Sequence, residues 1–184
     1  MINIGVALAK FLKKFIKNEK GTTAIEFSLL AIPYLMLTLG IIEIAIMYAS
    51  ASLLEGATNS ASRMIRTGQL QQSGADPETA FREGLCDYTT VLINCNDVVV
   101  ESLTLDSFSD VATSPAQFDA DGNMVSQGFD AGGSDARVLI RVAYRYEMMT
   151  PFVGVLISGS DNSRLFMSTI VLQVEPYDFA GAGA

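Results

Sequence analysis

Glu26 is the residue that asks most of its surroundings. It closes the stretch Gly21-Thr22-Thr23-Ala24-Ile25-Glu26, and the 22 residues from Phe27 to Tyr48 carry a single charge, Glu43. A carboxylate at the mouth of so apolar a run is costly unless something answers it, so Glu26 is a functional candidate by default. Other chemistry is scarce. The chain has no histidine, which removes the commonest general base and zinc ligand. No lysine follows Lys20, so a serine–lysine pair is excluded over most of the chain. Catalysis would rest on carboxylate pairs alone, and no enzyme and no catalytic residue is expected. Asp119, Asp121 and Asn123 invite a calcium reading, but an EF-hand loop needs glycine at its sixth position and glutamate at its twelfth. Met124 and Asp130 stand there, so a solvated acidic loop is the better reading, with no metal and no cofactor. Cys86 and Cys95, both beyond the apolar run, form no C-x-x-C motif, and no histidine is present to lower a thiol pKa. They fit one structural disulfide in an oxidising compartment, contributing roughly 2–3 kcal/mol by chain entropy.

These residues need elements to hold them. Phe27 to Tyr48 as a helix would span roughly 33 Å, enough for a hydrocarbon layer of ~30 Å. Pro33 inside it predicts a kink near residues 29–33. Glu43 falls about 26 Å along the helix from Glu26, near the far interface, where a subunit contact and simple interfacial anchoring are both open. Past Tyr48 the helical pattern persists: Ala45, Ala49, Leu53, Ala57 and Ala61 recur every four residues, a spacing that lets another helix or the protein's own domain approach closely. Gly68 is a candidate cap, so one helix of about 45 residues is expected. All five lysines lie in the first 20 residues, against one acid, Glu19. The remainder has seven arginines and 19 acids, a net of −12. The basic flank predicts a cytoplasmic N-terminus and an exported C-terminal part, and the acidity of that part argues against nucleic acid. Residues 2–17 read as a basic amphipathic helix drawn to membrane lipid, or as no more than a charged leader.

Beyond the helix, Asp76-Pro77-Glu78 looks like a helix start, with a short helix to about Cys86. Strands are expected at 98–105, 137–147 and 165–175. In the second, Val138, Ile140, Val142, Tyr144 and Tyr146 face one way and Arg137, Arg141 and Arg145 the other. PFVGVLISG, residues 151–159, is either a short buried helix or a segment touching the membrane surface. The Asp-, Ser- and Gly-rich stretch 106–135 is expected to be a mobile loop, and the tail from Asp178 to be frayed.

Lysines, then Gly21, then Glu26 at the edge of an apolar helix: this combination resembles the cleavage and assembly site of the type IV pilin superfamily. The phrase GTTAIEFSLLAIPYLMLTLGIIEIA and its continuation LLEGATNSASRMIRTGQ resemble the TadE-like pseudopilins of Tad, or Flp-type, systems. RVLIRVAYRYEMMTPFVGVLISG, followed by LFMSTIVLQVE, is similar to that family's strand, Thr-Pro and final strand. The resemblance implies cleavage between Gly21 and Thr22 by a prepilin peptidase. It makes Glu26 the fifth mature residue, followed by Phe27, and pairs its carboxylate with the N-terminal amine of a neighbouring subunit. It includes a glutamate at the position of Glu43. The implied partners are the peptidase, major and other minor pilins, the inner-membrane assembly platform and inner-membrane lipid.

The expected fold is α+β: a leader over 1–21, a membrane and assembly helix over 22–68, and a periplasmic or extracellular head over 69–184. The head should hold an antiparallel sheet of three to four strands and a short helix. The expected function is that of a minor pilin, inserted singly in the bacterial inner membrane and used in initiating, tipping or decorating a pilus that supports adhesion and biofilm formation. A single-pass binding module never cut or assembled, with Glu26 merely marking the end of its anchor, is the alternative. A secreted protein cut at Ala49-Ser50-Ala51 is a third reading, opposed by the length of the apolar run and by Glu43 within it.

Overall fold

A computed structural model of the chain describes residues 21–89, 91–159 and 161–176. The basic segment 2–17 and the tail from Asp178 lie outside them. The chain divides into two compact units, Met1–Ile42 and Glu43–Ala184.

The described part of the first unit is the opening half of helix α1, Thr22–Arg66, which starts one residue after Gly21 and runs through Pro33. Its 45 residues match the length expected from the sequence. Ile25, Phe27, Leu29, Leu30, Leu35, Leu37 and Ile41 are all exposed. Among the described residues this apolar surface is not buried in a core, and α1 is long and apolar enough to cross a membrane.

The second unit is an α+β domain built on the rest of α1. After α1 come α2 (Gln69–Gln72), α3 (Pro77–Thr89), β1 (Val98–Leu105), a short 3₁₀ turn (Phe108–Thr113), the small strands β2 (Gln117–Phe118) and β3 (Met124–Val125), β4 (Arg137–Glu147), α4 (Pro151–Ser158) and β5 (Ser163–Gln173). The main sheet is antiparallel in the order β1-β4-β5, and β2 pairs with β3 in a separate hairpin. α3 starts as its sequence signals: Asp76 accepts from the Thr79 amide at 2.9 Å and its hydroxyl at 2.8 Å, with Pro77 in the first turn. Those bonds hold the Asp76 carboxyl below its ordinary value.

The core lies between α1, α3 and one face of the sheet. Leu54, Ala57, Ala61 and Ile65 of α1 meet Phe81 and Leu85 of α3 and Val98, Val100, Val138, Ile140 and Val142 of the sheet. Small residues on α1 let the helix lie close to the strands. The fourfold repeat read in the sequence thus serves α1's own domain at Ala57 and Ala61, whereas Ala45 and Ala49 stay exposed.

Residues 106–135, expected as a mobile loop, instead carry the 3₁₀ turn and the β2–β3 hairpin, and they bond to the second face of the sheet at β1 and β4, whereas Met167, Thr169 and Val171 of β5 stay exposed on that face. All three alternating arginines of β4 bond to this segment. Arg137 donates to the Asp106 carbonyl at 3.0 Å, Arg141 to the Ser114 carbonyl, and Arg145 to the Asn123 side chain and, at 2.9 Å, to the Asp121 carbonyl. Arginine's five donors in a planar fork suit several carbonyls at once. Arg141 also pairs with Glu101, its cross-strand neighbour on β1, at 2.6 Å. Both are buried, Glu101 completely, and the Gln127 amide donates to the second carboxylate oxygen at 3.0 Å. A buried ion pair is tolerable when its remaining lone pairs are met in this way.

Candidate assembly site

Glu43 opens the second unit and is 2% exposed, where its neighbour Ile42 is 50% exposed. Four donors from the end of β4 and the start of α4 close on its carboxylate. The Tyr146 hydroxyl donates to Oε1 at 2.9 Å and the Met149 amide to the same atom at 3.0 Å. The Thr150 amide and hydroxyl donate to Oε2 at 3.0 and 2.8 Å. Both oxygens are thus fully met by neutral donors, which is how a buried carboxylate stays charged without a cation. Thr150 stands at the N-cap of α4, yet its hydroxyl caps nothing in that helix because it is committed to Glu43. Burial and the Glu43 carboxylate push the Tyr146 phenol up to about 12.

Sequence reasoning placed Glu43 near an interface and missed this set of ligands. The signal available was a Thr-Pro just after a strand whose alternation places Tyr146 one residue before its end at Glu147. Proline requires an extended residue before it and so turns the Thr150 amide and hydroxyl out of any helix ladder.

Glu26 is exposed, as is Phe27 beside it. Among the described residues the Glu26 carboxylate has no hydrogen-bond or ion-pair partner. Gly21 and Thr22 are exposed too, so the chain at the Gly21–Thr22 bond is sterically open.

Cys86 of α3 and Cys95 are joined in a disulfide with their Cα atoms 5.8 Å apart, tying α3 to the lead-in of β1 as the spacing suggested. Asp119 turns out to be a turn residue. Its carboxylate accepts from the Asp121 and Asn123 amides at 2.9 and 2.8 Å and from the Asn123 side chain at 3.1 Å. It thereby closes the β2–β3 turn, and these bonds hold its carboxyl below the ordinary value.

The architecture defines a class: among the described residues, one helix apolar enough to span a membrane, continued into a small disulfide-bonded α+β domain, a plan that points to membrane anchoring. Within that class, residues 21–63 match the family model described as TadE-like protein, so the resemblance read from the sequence holds over the helix from Gly21 to Arg63. No curated protein and no solved structure matches the chain.

Proposed function

We propose that this protein is a minor pilin, or pseudopilin, of a Tad-type pilus, with a structural and not a catalytic role. The observation that carries the reading is the state of α1 within the stretch matching the TadE-like model. Its first half shows an apolar surface with one carboxylate that no described residue pairs with, and its second half is built into a folded head. In this reading the prepilin peptidase cuts between Gly21 and Thr22. Glu26 then meets the free amine of a neighbouring Thr22 as the helix packs into a filament, with Phe27 against the neighbour's apolar surface. A cation supplied by the next subunit makes the carboxylate tolerable in an apolar bundle. Pro33 bends the helix within the packed stretch. Glu43 contributes to assembly indirectly, by fixing the head to the helix that enters the bundle.

Before assembly the protein sits in the bacterial inner membrane with its N-terminus cytoplasmic and its head periplasmic. The lysine-rich flank supports that orientation, and the disulfide supports an oxidising compartment. Its partners are the peptidase, major and other minor pilins, the assembly platform and membrane lipid, and the product serves adhesion and biofilm formation.

The test is the mass and N-terminal sequence of the protein from its native membrane. Thr22 as the first residue is expected. An intact Met1 in a strain with active peptidase would sink the pilin reading and leave a permanent anchor.

A further inference from the structure

The sheet has two ends, and the one at Glu43 is unusual. β1 begins at Val98 opposite Tyr144, and β4 ends at Glu147 opposite Ser163. Residues 91–97, which lead into β1, and 148–159, which follow β4, therefore both lie at this end, and the Glu43 carboxylate binds there, to Tyr146, Met149 and Thr150. Both segments carry exposed apolar side chains: Val91 (87%) and Leu92 on one, Met149, Val155 and Leu156 (84%) on the other. Ile46, one turn past Glu43, lines the same shallow depression as Val91, Leu92 and Met149. α4 has no charged residue. Its orientation is fixed, because Gly154 is buried and a Cβ there would collide with the Asn162 amide. That packing leaves Val155 and Leu156 facing away from the domain.

We propose that this end of the head is a lipid-binding foot, which seats Val91, Leu92, Met149, Val155 and Leu156 in the outer face of the bilayer that α1 crosses. Glu43 follows Ile42 in the chain, so wherever the span places Ile42, it places Glu43 and the Thr150 bound to it. Glu43 stands about 26 Å along the helix from Glu26, so in a span that begins near Glu26 it falls toward the outer boundary of a hydrocarbon layer of ~30 Å. Apolar side chains at that depth lose less free energy in the headgroup and acyl boundary than in water. Asp97, Glu147 and Asp161 lie on the same end of the domain, and so do Arg145, which lines the same depression, and Arg164, which stands opposite Tyr146 and donates to the Ile157 carbonyl of α4. Charges of both signs meet there, so the contact rests on apolar insertion and suits a zwitterionic lipid surface. The proposal rests on the reading of α1 as a single membrane span.

The chain has no tryptophan, so each of four full-length variants gains one fluorophore: Leu156→Trp, Val91→Trp, Leu35→Trp in the span, and Phe108→Trp at the far end of the sheet. All four positions are exposed. They are placed in phosphatidylcholine vesicles containing lipid brominated either near the headgroup or near the chain ends. Leu156→Trp and Val91→Trp should lose about half their emission to the shallow quencher, as expected for insertion of ~5–10 Å. Leu35→Trp should respond most to the deep quencher, and Phe108→Trp to neither. If Leu35→Trp is quenched while Leu156→Trp and Val91→Trp behave like Phe108→Trp, the foot is wrong and the span stands. If Leu35→Trp itself escapes quenching, the span fails and the foot with it. Leu156→Trp shielded from aqueous iodide but untouched by either brominated lipid would give the surface to a second protein and overturn the proposal.

Discussion

Glu26 and Glu43 sit on one helix, about 26 Å apart along its axis, and their surroundings are opposite. Glu43 has four donors from its own chain, all within 3.0 Å, and is buried. Glu26 is exposed and, among the described residues, has no hydrogen-bond or ion-pair partner. A third carboxylate, Glu101, resembles Glu43: it is buried, and its ligands are Arg141 and the Gln127 amide. The two satisfied carboxylates belong to the folded head, where their ligands come from strands and turns distant in sequence. The exposed one lies on a surface that no described residue of the chain covers. A carboxylate complete within its own chain has few lone pairs left for a neighbour, so Glu43 can serve a filament by holding the head in place but poorly as a direct contact. Glu26 has the reverse properties.

This contrast can be broken first at its strongest point. Arg141→Ala leaves Glu101 charged, buried and without its cation, and should cost roughly 3–5 kcal/mol. The expected result is a head that unfolds at far lower denaturant or is degraded in the cell. Thermal or denaturant unfolding of the full chain in detergent measures it. Glu43→Ala comes next. It strands the Tyr146 hydroxyl, two backbone amides and the Thr150 hydroxyl at once, for an expected loss of about 2–4 kcal/mol, partly relieved where water reaches them. Unchanged unfolding in Glu43→Ala would show that these bonds hold nothing in place.

Tyr146 sharpens the same point through pH. Its phenol is raised from an ordinary value near 10 to about 12 in the folded chain. The folded state therefore favours the neutral form. The stability this confers is complete below about pH 10 and is lost as pH rises through about 12. The head should show a falling melting temperature over that window. In Tyr146→Phe that component of the fall should vanish. A fall identical in both proteins would assign the alkaline loss to other groups.

The parts of this fold that the sequence made legible are those set by local pattern. The 45-residue helix followed from an unbroken apolar run continued by small residues. The disulfide followed from there being two cysteines and no competing chemistry. β4 followed from strict alternation, and β5 was placed two residues late because its apolar run continues into Val174. What could not be read was set by contacts across long sequence separations. Alternation puts Arg137, Arg141 and Arg145 on one face but cannot say whether that face meets water or protein. Here it meets carbonyls of residues 106–135, a segment whose composition suggests only turns. Glu43 finds its ligands more than 100 positions away. Its position near an interface follows from helix length, whereas its ligands depend on how β4 returns to α1. Glu26 was legible for the converse reason, since its distinction is to lie in apolar sequence without a local partner.

The smallest expected effect on stability is the most telling for function. Glu26→Ala removes a side chain that touches nothing else described, so unfolding of the head should change by no more than about 0.5 kcal/mol. The apolar run would become longer, and membrane insertion should be unaffected or slightly favoured. Cleavage after Gly21 should proceed, because the bond lies before the substituted residue and Gly21 and Thr22 are untouched. Incorporation into filaments should nonetheless fall, because the cation of the next subunit would meet no carboxylate. The comparison to make is the ratio of protein in sheared surface filaments to protein in membranes, for Glu26→Ala and Glu43→Gln side by side. Glu26→Ala should lower that ratio with a normally stable head, whereas Glu43→Gln should lower it only as far as it loosens the head. Equal incorporation of Glu26→Ala and the unaltered chain would remove Glu26 from assembly. Its carboxylate would then only mark where the membrane begins.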